Sequence, residues 1–428
     1  MWNSRLLEYN RTYEEKVKIL FISNYLPYPP DTGTKMRSMN FLRYLAKKGE
    51  VTLIAPGDPI TDAKHVIELK SLCTNVVLID SQTYGPHSTA NKKFSFSERV
   101  NQLTEMKPWA LQDFMSEEFK QKLISLNPQS FDLIFIRYAQ PAYYFLTDPR
   151  LRSLLWRIVI DVDDISINMQ ERHIQEMSFS YGKIRNILDL MFLKNYYRKI
   201  KDVRACLITN DQDKQYLLEE GFSKNVFVIP NTIEVNRAHV NVQNVRDPEI
   251  LFCGTLSFPH NEKAAFYFCH EVFPKIRSAI PNAQLSIVGK NPTAKVLKLN
   301  SISGVSVIGS VPSMEPYYKK SAIVVVPLLN GAGTRIKILE AMSYQKPVVS
   351  TSVGAEGLSV TDSENIYLAD DPSLFAKRCV ELLQDSERRI SLGARGYEFV
   401  KANYDEKVFD KTMDDFFNFF QQAEPCRR

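Results

Sequence analysis

The sequence predicts an α/β protein made of two Rossmann-like, doubly wound domains facing across a cleft. Three observations carry that prediction. Short apolar runs alternate with amphipathic stretches of helical length, the order that builds parallel sheets with right-handed crossovers. The alternation stops over an Asn- and charge-rich stretch and then begins again. The chain also has 428 residues, more than one ordinary core accommodates.

The first strand is "VKILFIS", Val17 to Ser23, a continuous apolar run of the kind buried on both faces of a parallel sheet. A helix follows in "KMRSMNFLRYLAKKG", with Met39, Leu42, Leu45 and Ala46 on one stripe and Gly49 as its stop. "EVTLIAP", "NVVLID", "FDLIFIR", "RIVIDV", "ACLITN" and "VFVIP" then read as further buried strands separated by helical segments. Residues 236–248 lack periodicity and read as a linker between a domain over 1–235 and one over 249–404. The second domain restarts the pattern with "ILFCGTL", "AQLSIVG", "VSVIG", "AIVVVP" and "KPVVST". The tail over 405–428 contains an amphipathic helix whose stripe is Val408, Phe409, Met413, Phe416 and Phe417.

Composition narrows the function. Hydrophobic residues make up 44% and charged residues 24%, as in a soluble globular protein. The net charge of +5 is mildly basic. It suits anionic ligands or membrane surfaces and falls short of a nucleic-acid binder. The six cysteines are scattered without a C-x-x-C pair, which argues for reduced, buried thiols rather than zinc ligands or disulfides. No run is long and apolar enough to span a bilayer, and the N-terminus has no signal-peptide core. A cytoplasmic location follows as the expectation, with contact at the inner face of the membrane left open.

Ligands of open α/β sheets bind beyond the carboxyl ends of the strands, so the loops after strands are where chemistry is sought. The stretch after "AIVVVP" is "NGAGTRIKILEAMSYQ". Gly331 and Gly333 allow close backbone approach, Thr334 is placed to cap a helix, and free N–H groups in its first turn favour an anion. Arg335 and Lys337 sit where cations oppose the helix dipole. A diphosphate would neutralise both effects. Glu340 lies about 9 Å further along at ~1.5 Å per residue, a span that suits a carboxylate accepting from the hydroxyls of a ribose. The competing reading is a solvent-facing helix with a Lys337–Glu340 pair at i, i+3.

Other strand ends carry weaker signals. Gly254 and Thr255 follow one strand and Gly289 and Lys290 another; each is a phosphate approach or a plain turn. The P-loop spacing is absent. "LPYPPDTGTKMR" follows the first strand, placing Gly33 near a ligand in the cleft, with Arg37 close by or in a structural pair. "IDVDDIS" offers three carboxylates, open to a D-x-D metal site, to acceptor recognition through Asp164, or to helix capping. "KIRNILDLMFLKNYYRKIK" is a basic amphipathic helix, suited either to an anionic membrane or to ordinary core packing.

Taken in order, the "PPDTG" loop, "VIPNTIE", "CGTLSFPHN", "IVGKNP" and above all "GTRIKILEAMSYQKPVVST" resemble glycosyltransferase family four, retaining nucleotide-sugar enzymes of the GT-B fold. The resemblance spans nearly the whole chain. It implies that Arg335 and Lys337 neutralise the donor diphosphate, that Glu340 holds the ribose, and that Gly33, Gly254, Thr255, Gly289, Lys290, Gly333 and Thr334 line the donor. It further implies that backbone around Ser310 and Val311 touches the base, and that the helix over 405–428 crosses back to the first domain. The donor would be a UDP- or GDP-sugar, with no metal and no other cofactor required. Two departures stand out. Ala332 occupies the place of the first glutamate of the family's E-x(7)-E, and Asp164 stands where an acceptor-side histidine is usual.

The function so implied is transfer of a sugar, with retention, from a nucleoside diphosphate sugar to a hydroxyl of a glycan, lipid-linked or small-molecule acceptor during polysaccharide, glycolipid or other glycoconjugate assembly. A nucleotide-sugar epimerase, or a non-catalytic nucleotide-sugar-binding subunit of the same fold, is the alternative.

Overall fold

The structure is a computed structural model and describes residues 16–85, 106–163, 177–235, 247–330 and 335–422, with single positions at 104, 165, 167, 170, 171, 174 and 175. Two compact units divide the chain. One comprises the described residues up to Val228 together with those from Phe416 onward, and the other runs from Ile229 to Asp415.

The first unit is built on a seven-stranded sheet, β1 (Val17–Ile22), β2 (Gly49–Pro56), β3 (Asn75–Ile79), β4 (Leu133–Arg137), β5 (Ile158–Asp163), β6 (Ala205–Ile208) and β7 (Val226–Val228). Its order is β3-β2-β1-β4-β5-β6-β7 and every pair is parallel. The apolar runs put these strands inside: Ile19 to Ile22 and all of β4 are buried. Each apolar side chain among them contributes about 1.5–3 kcal/mol on leaving water. The helix Gly33–Lys48 closes one face, its Phe41 ring 4.8 Å from Phe135, which stacks at 5.3 Å on Phe21.

The second unit repeats the plan with six strands, β8 (Glu249–Cys253), β9 (Gln284–Val288), β10 (Val305–Gly309), β11 (Ile323–Val326), β12 (Val348–Ser350) and β13 (Tyr367–Leu368). The order is β10-β9-β8-β11-β12-β13, again all parallel. In both sheets the chain starts at the centre, winds outward, then returns to the other side of its first strand. The reversals fall between β1 and β4 and between β8 and β11, the topological switch points where such sheets leave a crevice. The doubly wound α/β class read from the sequence is the class observed. β13 was not read, since two residues carry no periodicity.

Charge is buried at the end of the first sheet. Arg37 donates to both carboxylate oxygens of Asp161, through Nε at 3.0 Å and Nη2 at 2.6 Å. Arg137 lies against the same carboxylate, and its Nη2 reaches Asp163 at 2.9 Å. The Tyr138 hydroxyl also donates to Asp163, at 3.0 Å. Two guanidiniums and two carboxylates thus cancel. The D-x-D metal reading is corrected for Asp161 and Asp163, whose oxygens are engaged by arginines, and Arg37 is a structural pair. Among the described residues no group of three His, Cys, Asp or Glu side chains is placed to hold a metal ion. Tyr138 and Asp163 both take left-handed backbone, φ +65° each, a strain of about 1–3 kcal/mol apiece that the network must offset.

The described cysteines, Cys73, Cys206, Cys253, Cys269 and Cys379, are buried free thiols. The helix Glu406–Gln422 belongs to the second unit up to Asp415 and to the first from Phe416. There Phe416 meets Phe227 at 5.3 Å and Arg204 donates to the Phe420 carbonyl at 2.8 Å. No helix among the described residues is long and apolar enough to cross a membrane.

Asp161→Ala leaves two buried guanidiniums sharing the single carboxylate of Asp163 and is expected to cost about 3–5 kcal/mol, measured as the shift in denaturant midpoint. Burial alone would raise the Asp163 carboxyl, but Arg137, Arg37 and the Tyr138 hydroxyl hold it below its ordinary value. Because folding lowers this pKa, its stabilisation is complete above about pH 4 and is lost as the pH falls further. Acid melts of the wild type should show that loss, and melts of Asp163→Asn should show less of it.

Candidate functional site

The second switch point holds most of the residues singled out in the sequence. After β11 the chain leads to the helix Ile336–Ser343, which buries Ile338, Leu339, Ala341 and Met342 against the sheet. That apolar pattern fixes which side is left for Lys337 and Glu340. Arg335 occupies the N-cap position, one place before the helix. Its side chain is buried, donates from Nη2 to the Val353 carbonyl at 3.0 Å, and lies 3.9 Å from Glu356. Arg335 is thereby tied to the loop after β12.

Lys337 turns the other way, toward the end of β8. Its Nζ donates to Asn261 Oδ1 at 2.8 Å and lies 5.9 Å from the centre of the Phe252 ring. Asn261 is buried, and its Nδ2 donates to the Thr255 carbonyl at 2.9 Å. One amide therefore joins the strand-end loop to the ammonium. Among the described residues Lys337 has no carboxylate partner, and the i, i+3 pair with Glu340 does not form. Burial pushes its pKa down to about 8, with Arg335 adding to the effect. His260, next to Asn261, is pushed down to about 4 by burial and by Lys337 and Arg335, so its ring is neutral at pH 7. Lys337 thus keeps its charge on an amide oxygen, while Arg335 has Glu356 at 3.9 Å.

Glu340 faces a different neighbour. Its Oε2 accepts from the Tyr318 hydroxyl at 3.1 Å. Tyr318 is fully buried, stacks on Tyr344 at 4.8 Å and lies 3.4 Å from the Cys253 sulfur. Burial, with Cys253 and Glu340 beside it, pushes the Tyr318 phenol well up, so it stays a donor. The carboxylate is oriented from behind by a group that cannot move.

Backbone at three strand ends is drawn together. Gly254 N–H donates to the Val288 carbonyl at 3.2 Å, Leu256 N–H to Lys290 at 2.8 Å, and Gly289 N–H to Gly309 at 2.9 Å. Gly254 has φ +157°, and a Cβ there would lie 3.1 Å from Lys337 Nζ and 3.0 Å from Asn261 Nδ2. A Cβ on Gly289 would collide with the Gly254 carbonyl. Glycine at 254 leaves space beside the ammonium, and glycine at 289 lets the two strand ends pack together.

The structure thus brings Gly254, Thr255, Arg335 and Lys337 to one switch point, with Gly289 and Lys290 alongside and Val311 two residues past β10. Gly33 begins the helix Gly33–Lys48 in the other unit, capped by Thr32, whose hydroxyl accepts from Lys35 N at 3.4 Å. Asp164, Gly333 and Thr334, with Ala332, lie outside the described residues. Asn261, His260 and Tyr318 were not singled out in the sequence. Asn261 and His260 sit in "SFPHN", but the partner that gives Asn261 its role is 76 residues away.

Known proteins share parts of this sequence and this fold. Residues 247–385 match the family described as "Glycosyl transferases group 1". The chain is 24% identical over 414 residues to an uncharacterized 44.6 kDa protein in the cps region of Klebsiella pneumoniae, covering 93% of this chain and 99% of that one. Among solved structures it is similar to sucrose-phosphate synthase from Thermosynechococcus elongatus, with TM-score 0.67 and 18% identity over 96% of this chain and 100% of that one. It is also similar to Anabaena Alr3699/HepE in complex with UDP and glucose, with TM-score 0.61 and 12% identity over 94% of this chain and 100% of the other. The family match covers residues 247–385, and the two parallel sheets have the GT-B fold of these similar structures.

Proposed function

We propose that this protein transfers a sugar from a nucleoside diphosphate sugar to an acceptor hydroxyl, with the anomeric configuration retained. The observation that carries the reading is Lys337, a largely buried ammonium with an amide oxygen as partner, near Arg335 and against Gly254 at the switch point. A unit negative charge about 4 Å from it gains about 4 kcal/mol at an effective dielectric near 20. A donor diphosphate supplies that charge. The complex with UDP and glucose of the similar Anabaena protein supports a UDP-sugar as the first donor to test, with a GDP-sugar second.

The chemistry needs little from the protein beyond positioned charge. The bond between the sugar C1 and the β-phosphate oxygen breaks, and its electron pair leaves with the diphosphate. Arg335, Lys337 and first-turn N–H groups stabilise that charge as it grows, a contribution that usually dominates such reactions. The acceptor oxygen bonds to C1 on the face the diphosphate leaves, and its proton passes to the departing phosphate oxygen. Glu340, oriented by Tyr318, accepts from the ribose hydroxyls. Asp164 is assigned to the acceptor side. The acceptor belongs to the glycan, lipid-linked or small-molecule hydroxyl class.

A second reading rests on Ala332, which stands where the family carries a sugar-contacting glutamate: a protein that binds the donor and never transfers it. Thermal stabilisation by a panel of nucleotide sugars, followed by turnover of the best binder with and without added acceptors, separates the two. Release of nucleoside diphosphate supports transfer or hydrolysis; binding with no release supports the second reading; no binding of any member refutes both.

Arg335→Ala and Lys337→Ala should each weaken UDP binding about 10- to 100-fold and lower kcat/KM further still. Glu340→Gln should reduce affinity for the nucleotide sugar while leaving inorganic pyrophosphate binding near wild type. Calorimetry checks all three. Because the free protein holds Lys337 near 8, a bound anion raises that pKa and takes up a proton. Donor affinity should therefore fall between about pH 7.5 and 9.5, by up to about tenfold per pH unit once the lysine is neutral. Buffers of different ionisation enthalpy report the proton taken up, and Lys337→Met should abolish it. Gly289→Val, which drives into the Gly254 carbonyl, should cut donor affinity and leave the cysteines buried.

A further inference from the structure

We propose that the outward face of the helix Tyr181–Lys199, together with Phe179 before it, docks this protein on a bilayer surface rich in anionic phospholipid. The inference is independent of the donor site. Among the described residues 18 large apolar side chains are exposed, and six of them fall between 179 and 191. They are Phe179 (88% exposed), Tyr181 (84%), Ile184, Ile187, Leu188 and Met191 (58%). Positions 181, 184, 188 and 191 recur at helical spacing and form one stripe about 15 Å long at ~1.5 Å per residue.

This stripe is not the face that holds the helix in place. Leu193, Tyr196 and Tyr197 do that, all buried, with the Tyr196 hydroxyl donating to the Ala139 carbonyl at 2.7 Å and the Tyr197 ring 5.7 Å from Phe222. Phe179, Tyr181 and Met191 are mostly exposed, with Ile184, Ile187 and Leu188 half-covered at the edge of that packing. A contiguous apolar stripe left this open marks an interaction surface.

Charge selects the partner. The helix carries five cations, Lys183, Arg185, Lys194, Arg198 and Lys199, against one acid, Asp189. Asp189 is turned inward, accepting from the Trp109 backbone N–H at 2.7 Å. Lys194 is paired with Glu171 at 2.6 Å, Lys183 donates to the Met177 carbonyl and Arg185 lies over the Trp109 ring at 4.9 Å, whereas Arg198 and Lys199 are exposed. Residue 198 follows 191 by two turns and so falls on the apolar stripe itself. Asp202, just beyond the helix, is the nearest exposed acid in sequence. A two-fold contact between copies would gather the exposed cations of both helices into one interface, because an isologous contact repeats the same patch. A lipid surface bearing negative headgroups over an apolar interior satisfies both features at once.

The test uses the full chain and plain phospholipid vesicles containing no sugar or nucleotide, so its result is independent of any glycosyl transfer. Flotation with vesicles of equal parts phosphatidylglycerol and phosphatidylcholine should recover the protein in about 0.1 M salt, with markedly less in about 1 M salt. Vesicles of phosphatidylcholine alone should recover little. Tyr181→Ser with Met191→Ser should weaken binding at least tenfold. Arg198→Gln with Lys199→Gln should weaken it by about fivefold per charge, with melting temperature unchanged in both. No flotation with phosphatidylglycerol overturns the proposal, as does flotation untouched by both double variants. A dimer in solution that Tyr181→Ser with Met191→Ser dissociates also overturns it, assigning the stripe to a second copy. If the apolar variant melts early, the Arg198 and Lys199 pair, both exposed, decides alone.

Discussion

One hydrogen bond organises the second unit: the Lys337 ammonium on the Asn261 amide oxygen, 2.8 Å apart. An amide orients a cation without cancelling it. A carboxylate at the same place would have formed a buried ion pair and left nothing for a ligand to neutralise. The same asparagine holds the Thr255 carbonyl with its other atom, so the loop after β8 and the helix after β11 are set by one side chain. Gly254 follows from that arrangement, since a side chain there would enter the space the amide and ammonium define, and Gly289 follows in turn because a side chain there would strike the Gly254 carbonyl.

The two units show what topology alone does and does not decide. Both sheets start at the centre and reverse between the first and fourth strand, and both gather polar residues at that reversal. The electrostatic solutions are opposite. At the end of the first sheet Arg37, Arg137, Asp161 and Asp163 are buried in equal and opposite number, and the network stiffens two strand ends in strained backbone. At the end of the second sheet Arg335 lies 3.9 Å from Glu356, whereas Lys337 is held by an amide oxygen with a neutral His260 beside it. A closed, self-satisfied network organises a scaffold; an open, charged one awaits a partner. The same fold carries both.

Much of this was legible in the sequence. The strands of both sheets announce themselves because parallel strands covered on both faces need uninterrupted apolar runs, and runs such as "VKILFIS" and "AIVVVP" have no other economical reading. The positions of Gly254, Gly289, Arg335 and Lys337 at strand ends follow from the same alternation. What the sequence withheld were pairings over long separations. Arg37 and Asp161 are 124 positions apart, Lys337 and Asn261 76, Tyr318 and Glu340 22. Local spacing offered Lys337 a glutamate three residues on, and tertiary structure gave it an asparagine instead. The D-x-D of β5 was likewise open to a metal until two arginines from other elements were seen to occupy it.

The Lys337 ammonium beside Gly254, held by an amide oxygen, has a consequence at the bench. If it receives the diphosphate proposed above, simpler oxyanions such as sulfate, citrate or inorganic phosphate from a purification would compete with any nucleotide added later. Handling in chloride-based, weakly coordinating media, and checking for residual oxyanion before titration, becomes part of measuring this protein at all.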